Sequence, residues 1–142
     1  NNESYIFQKP QGFQTIRFHL TAAALEWLDG TTSDDSNTVV SNRTLFYDLL
    51  SRMLLVTGRD GSFRRPQDLQ AGQLQFSEIS LAKEWNMGRK KVHNLLRIMA
   101  QLKMIVVCNS RIASIADIIC IEGWTDTKDT YINNPCYRFK QL

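Results

Sequence analysis

No stretch of this 142-residue chain is an apolar run of the roughly 18 residues that a membrane span requires. The opening NNESYIFQKPQGF lacks the charged-then-apolar layout of a secretory signal. Residue 1 is not Met, so a trimmed or tagged chain is expected. Cysteine is scarce: Cys108, Cys120 and Cys136 are odd in number and lack the spacing of metal ligands. Cys108 and Cys120 lie within apolar runs, so inert core thiols in a reducing cytoplasm are expected. Also missing are a Gly-rich phosphate loop, a GxSxG elbow, an HExxH pair and a CxxC pair. These absences set the expectation of a cytoplasmic, non-enzymatic protein with no cofactor, no metal and no small-molecule substrate. Internal repeats and low-complexity tracts are absent too.

The composition that remains, 43% hydrophobic and 22% charged, is that of an ordinary soluble domain. The length suits one domain with a single core. Net charge is only +3, but its distribution is uneven. Between Asn86 and Arg111 stand Arg89, Lys90, Lys91, Arg97, Lys103 and Arg111, without one Asp or Glu. This +6 window leaves the rest of the chain at −3, an asymmetry that points to an anionic partner.

Periodicity gives the organisation. FQTIRF (13–18) alternates as a short strand, and TAAALEWL (21–28) reads as a helix capped by Thr21. DGTTSDDSNT reads as a surface loop. TLFYDLLSRMLLV places Leu45, Phe46, Leu49, Leu50, Met53 and Leu54 at helical spacing, with Asn42 or Thr44 as its cap. FRRPQDLQAG is a connection, because Pro66 forbids a helix interior. QLQF is a short extended piece. Ser77 then caps EISLAKEW, whose inward residues are expected to be Ile79, Leu81, Ala82 and Trp85. After Asn86-Met87-Gly88, Leu95, Leu96, Met99 and Leu102 fall within about 80° of Val92 on a helical wheel. Lys90, His93, Asn94, Arg97 and Gln101 take the opposite side. MIVVC and IASIADIICIEGW, on either side of Asn109-Ser110-Arg111, read as a hairpin. The last stretch reads as a short helix or irregular tail packed by Tyr131 and Tyr137. Trp27, Trp85 and Trp124 border apolar stripes and are expected to anchor the core rather than stack on bases. Glu78 and Glu84 belong to a supporting helix, with no cleft or partner for acid–base chemistry legible in the sequence.

The order of helix, extended piece, helix, tight turn, helix, strand, polar break and strand is that of a winged helix-turn-helix. The segment GQLQFSEISLAKEWNMGRKKVHNLLRIMAQLKMIVV is similar to the winged-helix domains of phage and plasmid replication initiators and DnaD-like primosome proteins. Gly72-Gln73, Ser77, Leu81-Ala82, Val92, Leu96, Met99 and Ile105 carry the resemblance. LFYDLLSRMLLV and IICIEGW extend it to about residues 43–124. Gly88 stands where that family usually has a Ser or Thr cap, and Lys103 where a Gly commonly ends the helix.

The resemblance implies an α+β, mostly helical fold: a three-helix core plus a β-hairpin wing, with an N-terminal extension. Residues 1–42 would form that extension, 43–124 the DNA-binding domain and 125–142 a C-terminal tail. The expected partner is double-stranded DNA, in replication initiation of a phage, plasmid or mobile element. A transcription regulator or an excision factor are the alternative roles. An oligomerisation module, or one that binds replication proteins without DNA, is the alternative of another class.

A helix held by one apolar face can project its other face into a major groove about 12 Å wide. Lys90, His93, Asn94 and Arg97 are expected to face the groove, with Arg89 and Lys91 flanking it on phosphates. Asn109, Ser110 and Arg111 would contact DNA from the wing tip. Positive charges in the first turn oppose the helix dipole by about 0.3–1 kcal/mol each, so local stability does not account for them. A phosphate bound at that end would.

Overall fold

The computed structural model describes residues 14–55, 69–109 and 114–138. In chain order the elements are β1 (Thr15–Phe18), α1 (Ala22–Leu28), β2 (Thr31–Ser33), β3 (Val39–Ser41), α2 (Asn42–Leu50) and β4 (Gln73–Phe76). There follow α3 (Glu78–Trp85), α4 (Arg89–Gln101), β5 (Ile105–Asn109), β6 (Ser114–Ile118), β7 (Ile121–Thr125) and β8 (Tyr131–Asn133).

The expectation of a mostly helical chain with a three-helix core and one hairpin is wrong. Among the described residues four helices accompany eight strands, the strands form three sheets, and about 35% helix stands against 29% strand. The difference comes from strands too short or too polar to declare themselves by alternation. DGTTSDDSNT is not an open loop, because β2 within it pairs with β3 directly after it, Thr31 opposite Ser41 and Ser33 opposite Val39. The tail is not helical either: Tyr131–Asn133 pairs with β7, Gly123 opposite Asn133. IASIADIICIEGW is two strands in two different sheets, since β6 joins β4 and β5 in the order β4-β6-β5, whereas β7 joins β1 and β8 in the order β1-β7-β8.

Helix ends follow side-chain caps. Thr21 Oγ1 accepts from the Ala24 N–H at 3.0 Å, as expected. For α2 the cap is Ser41, which accepts from Thr44 N–H, and not Asn42 or Thr44. Asn42 is instead buried, donating to the Trp27 carbonyl and accepting from Thr32 Oγ1. The helix also stops at Leu50. Met53 and Leu54 stay buried, but Leu54 exchanges backbone hydrogen bonds with Gly72 and Gln73 and so runs beside β4. The expected connection around Pro66 lies largely outside the described residues.

One core collects the apolar faces. Val92, Leu95, Leu96 and Met99 of α4 are buried together with Leu81 and Trp85 of α3, Phe46 and Leu49 of α2, and Leu74 and Ile105 of the β4-β6-β5 sheet. Trp85 and Trp124 are fully buried, while Trp27 is half-buried. Ile79 departs from expectation. It is 61% exposed, because the buried stripe of α3 runs through Leu81, Ala82 and Trp85. Cys108 is exposed, contrary to its expected place in the core. Tyr131, expected to pack the tail, is 39% exposed and lies under the Arg17 guanidinium, 5.6 Å from its ring centre. Lys103 has φ 64°, so it adopts the left-handed helix-ending conformation in which Gly is commoner.

Among the described residues no helix is long and apolar enough to cross a membrane.

Candidate nucleic-acid interface

The described part of the positively charged window folds as α4 and β5, with α4 entered from α3 through Asn86-Met87-Gly88. Asn86 ends α3 in the left-handed conformation, φ 55° and ψ 51°, and Ser77 caps its start. Gly88 is the N-cap of α4 and supplies no side-chain hydrogen bond. The buried residues of α4 fix which side faces outward. Arg89, Lys90, His93, Asn94 and Arg97 are all exposed, and Lys91 is half-buried.

Their surroundings divide them. Glu78, from the first turn of α3, lies beneath the start of α4. One carboxylate oxygen is 3.0 Å from His93 Nδ1 and the other 4.0 Å from the Arg89 guanidinium. Lys91 turns the other way and donates from Nζ to the Ser33 carbonyl at 2.7 Å. Two of the three first-turn charges therefore have protein partners, which revises the view that nothing local accounts for them. Lys90, Asn94 and Arg97 have no side-chain partner among the described residues. They sit at i, i+4 and i+7, within about 60° of one another around the helix.

Asn109 closes β5, opposite Ser114. Its side chain, together with Ser110 and Arg111, lies outside the described residues.

A cleft of about 340 Å³ separates α4 from β5. Glu78, His93 and Arg97 line it beside the apolar Leu96, Ile105 and Val107. Glu78 thus has both a cleft and a partner, neither of which its place in the sequence announces. Among the described residues no group of three or more His, Cys, Asp or Glu side chains is arranged to hold a metal.

On the far side, the β2–β3 hairpin packs on the α3–α4 turn. Asp34 is buried, and its Oδ1 accepts from the N–H groups of Ser36 and Thr38 at 2.8 Å each. Its Oδ2 accepts from Asn86 Nδ2 at 3.1 Å. Burial pushes the Asp34 carboxyl upward, but the Thr38 N–H, the Asn86 amide, the Ser36 N–H and nearby Lys91 together hold it below the usual carboxylate range. Sequence reasoning missed this hairpin, although Asp34-x-Ser36 is the pattern of a side chain that caps its own turn.

Comparison with protein-family profiles, with curated proteins and with solved structures finds no match for this chain.

Proposed function

We propose that this protein binds duplex DNA through α4, as a non-enzymatic DNA-binding protein of the cytoplasm. The observation that carries the reading is the exposed stripe Lys90, Asn94 and Arg97, on a helix whose opposite face is locked into the core. Two cations reach phosphates or guanine edges, and an Asn amide between them matches the donor–acceptor pair of an adenine edge. The paired helices and the β5–β6 hairpin support it, since they leave the stripe projecting from the surface. Arg89 and His93 border the contact while held by Glu78. The resemblance to phage and plasmid replication initiators favours replication initiation as the role, and the same contact would serve a transcription regulator.

Amide chemical shifts during titration of the labelled protein with a mixed-sequence duplex test the contact. Shifts concentrated in residues 89–101 are expected. Shifts confined to the β1-β7-β8 sheet, or none at all, would refute it.

A further inference from the structure

The entrance to α4 lacks the device that usually fixes one. Its N-cap, Gly88, gives no side-chain bond, and a Cβ placed there would meet nothing within 4 Å. Only three residues separate α3 from α4, so the conformation of the turn sets the direction of α4. That conformation is held from outside by the β2–β3 hairpin. The Asn86 carbonyl accepts from the Asp35 N–H at 2.9 Å, and its Nδ2 donates to Asp34 Oδ2 at 3.1 Å and Ser36 Oγ at 2.9 Å. A fourth bond, Lys91 Nζ to the Ser33 carbonyl, ties the first turn of α4 to the same hairpin. Met87, between Asn86 and Gly88 in the turn, is buried.

We infer that the β2–β3 hairpin is a clamp that aims α4 at its nucleic-acid partner, with Asn86 and Lys91 as positioning residues rather than DNA contacts. This inference rests on the DNA-binding reading above. Its chemistry differs from that of a phosphate site. The Lys91 ammonium is engaged by a backbone carbonyl, and the Asp34 carboxylate disfavours a phosphate on the hairpin side of the turn. The contact falls instead on the face that carries Lys90, Asn94 and Arg97. The clamp also gives the acidic segment of a basic protein a purpose, because Asp34 holds both the hairpin turn and the Asn86 amide.

Two variants separate aiming from charge. Asn86→Gly keeps the left-handed backbone accessible and deletes the amide bonds; Lys91→Gln removes the ammonium. The probes are a duplex selected from a randomised pool by the unaltered protein and a scrambled duplex of the same composition, at a temperature well below the melting point of each protein. Asn86→Gly is expected to lose about tenfold in affinity for the selected duplex, with the salt dependence on the scrambled one unchanged. Lys91→Gln is expected to change the slope of log affinity against log salt by much less than the roughly 0.9 that one phosphate contact contributes. An unchanged preference in Asn86→Gly, or a full phosphate's loss of slope in Lys91→Gln, would overturn the inference.

Hydrogen exchange tests the clamp without DNA. The Asp35, Met87 and Val92 amides bond to Asn86, Ala82 and Gly88 carbonyls, and their exchange is expected to be about tenfold faster in Asn86→Gly. Equal exchange would overturn the clamp. Faster exchange in a protein that binds neither duplex would leave the clamp standing and defeat the DNA reading.

Discussion

Trp85 Nε1 donates a 2.7 Å hydrogen bond to Asp48 Oδ2 inside the core, joining α3 to α2. The same carboxylate oxygen accepts from Arg52 at 2.8 Å, and the Arg52 guanidinium continues to Glu84 on α3. Asp48 is 5% exposed, so removing it strands the buried Trp85 indole N–H, while Arg52, 26% exposed, keeps Glu84. Asp48→Ala is expected to cost about 3 kcal/mol, the upper end for a stranded buried donor. Asp48→Asn keeps an acceptor but loses the charge, and is expected to cost about 1–3 kcal/mol. Urea unfolding followed by fluorescence measures both. Equal stability of Asp48→Ala and the parent would show that the network contributes nothing.

Gly72 and Asn134 form the corner where the two three-stranded sheets meet. Gly72 has φ 90°, and a Cβ added there would come within 2.0 Å of Asn134 Oδ1. The Asn134 amide donates to the Ile118 and Ile121 carbonyls at 2.8 Å each, spanning the step from β6 to β7. Its Oδ1 accepts from the Cys136 N–H. Gly72→Ala combines a left-handed strain of about 1–3 kcal/mol with this clash, so a loss above about 3 kcal/mol is expected in thermal or denaturant melts. Because the two residues share one contact, Gly72→Ala with Asn134→Ala is expected to cost less than the sum of the single changes.

The three thiols are expected to behave differently. Cys108 is exposed. Burial pushes the Cys120 thiol up to about 12, and burial followed by the Asp117 carboxylate pushes Cys136 up to about 11. A disulfide reagent at mildly alkaline pH is expected to titrate Cys108 in the native protein and all three thiols after unfolding. Both buried thiols stay protonated in the fold above their ordinary value of 9.0. Their contribution to stability is therefore complete below pH 9 and is lost as pH rises through about 11 to 12. Stability curves of Cys120→Ala and the parent across that range are expected to converge as pH increases.

The helices were the legible part of the fold. α3 and α4 carry strong apolar stripes, Ser77 announces one start, and the stripe Val92-Leu95-Leu96-Met99 fixes the outward side of α4 before any coordinates. The strands at 15–18 and 73–76 and the β5–β6 hairpin were legible too, but not the sheets they join. β2, β3 and β8 have three residues each, too few for alternation to stand out, while β1 and β4 pair with β7 and β6, partners distant in sequence. Thr31-Thr32 before Asp34-Asp35-Ser36-Asn37 and Thr38-Val39-Val40 after it are β-branched and did hold a hairpin signal, obscured by its polarity. At the candidate interface the sequence gives six cations and no acid, yet the fold brings Glu78 beneath Arg89 and His93 and the hairpin against Lys91. Charge counted along a chain omits what packing sets beside it. Among the described residues the exposed stripe Lys90, Asn94 and Arg97 keeps no partner.

The most direct test of the DNA-binding claim is the salt dependence of duplex affinity, measured by fluorescence anisotropy for the parent and for Lys90→Ala with Arg97→Ala. Both side chains are exposed, so the double variant is expected to keep the parent's circular dichroism. The parent's log affinity is expected to fall linearly with log salt. The double variant is expected to bind more weakly with a slope shallower by about 1.8, two phosphate contacts at about 0.9 each. A parent with no salt dependence, or a variant with the parent's affinity and slope, would contradict the claim.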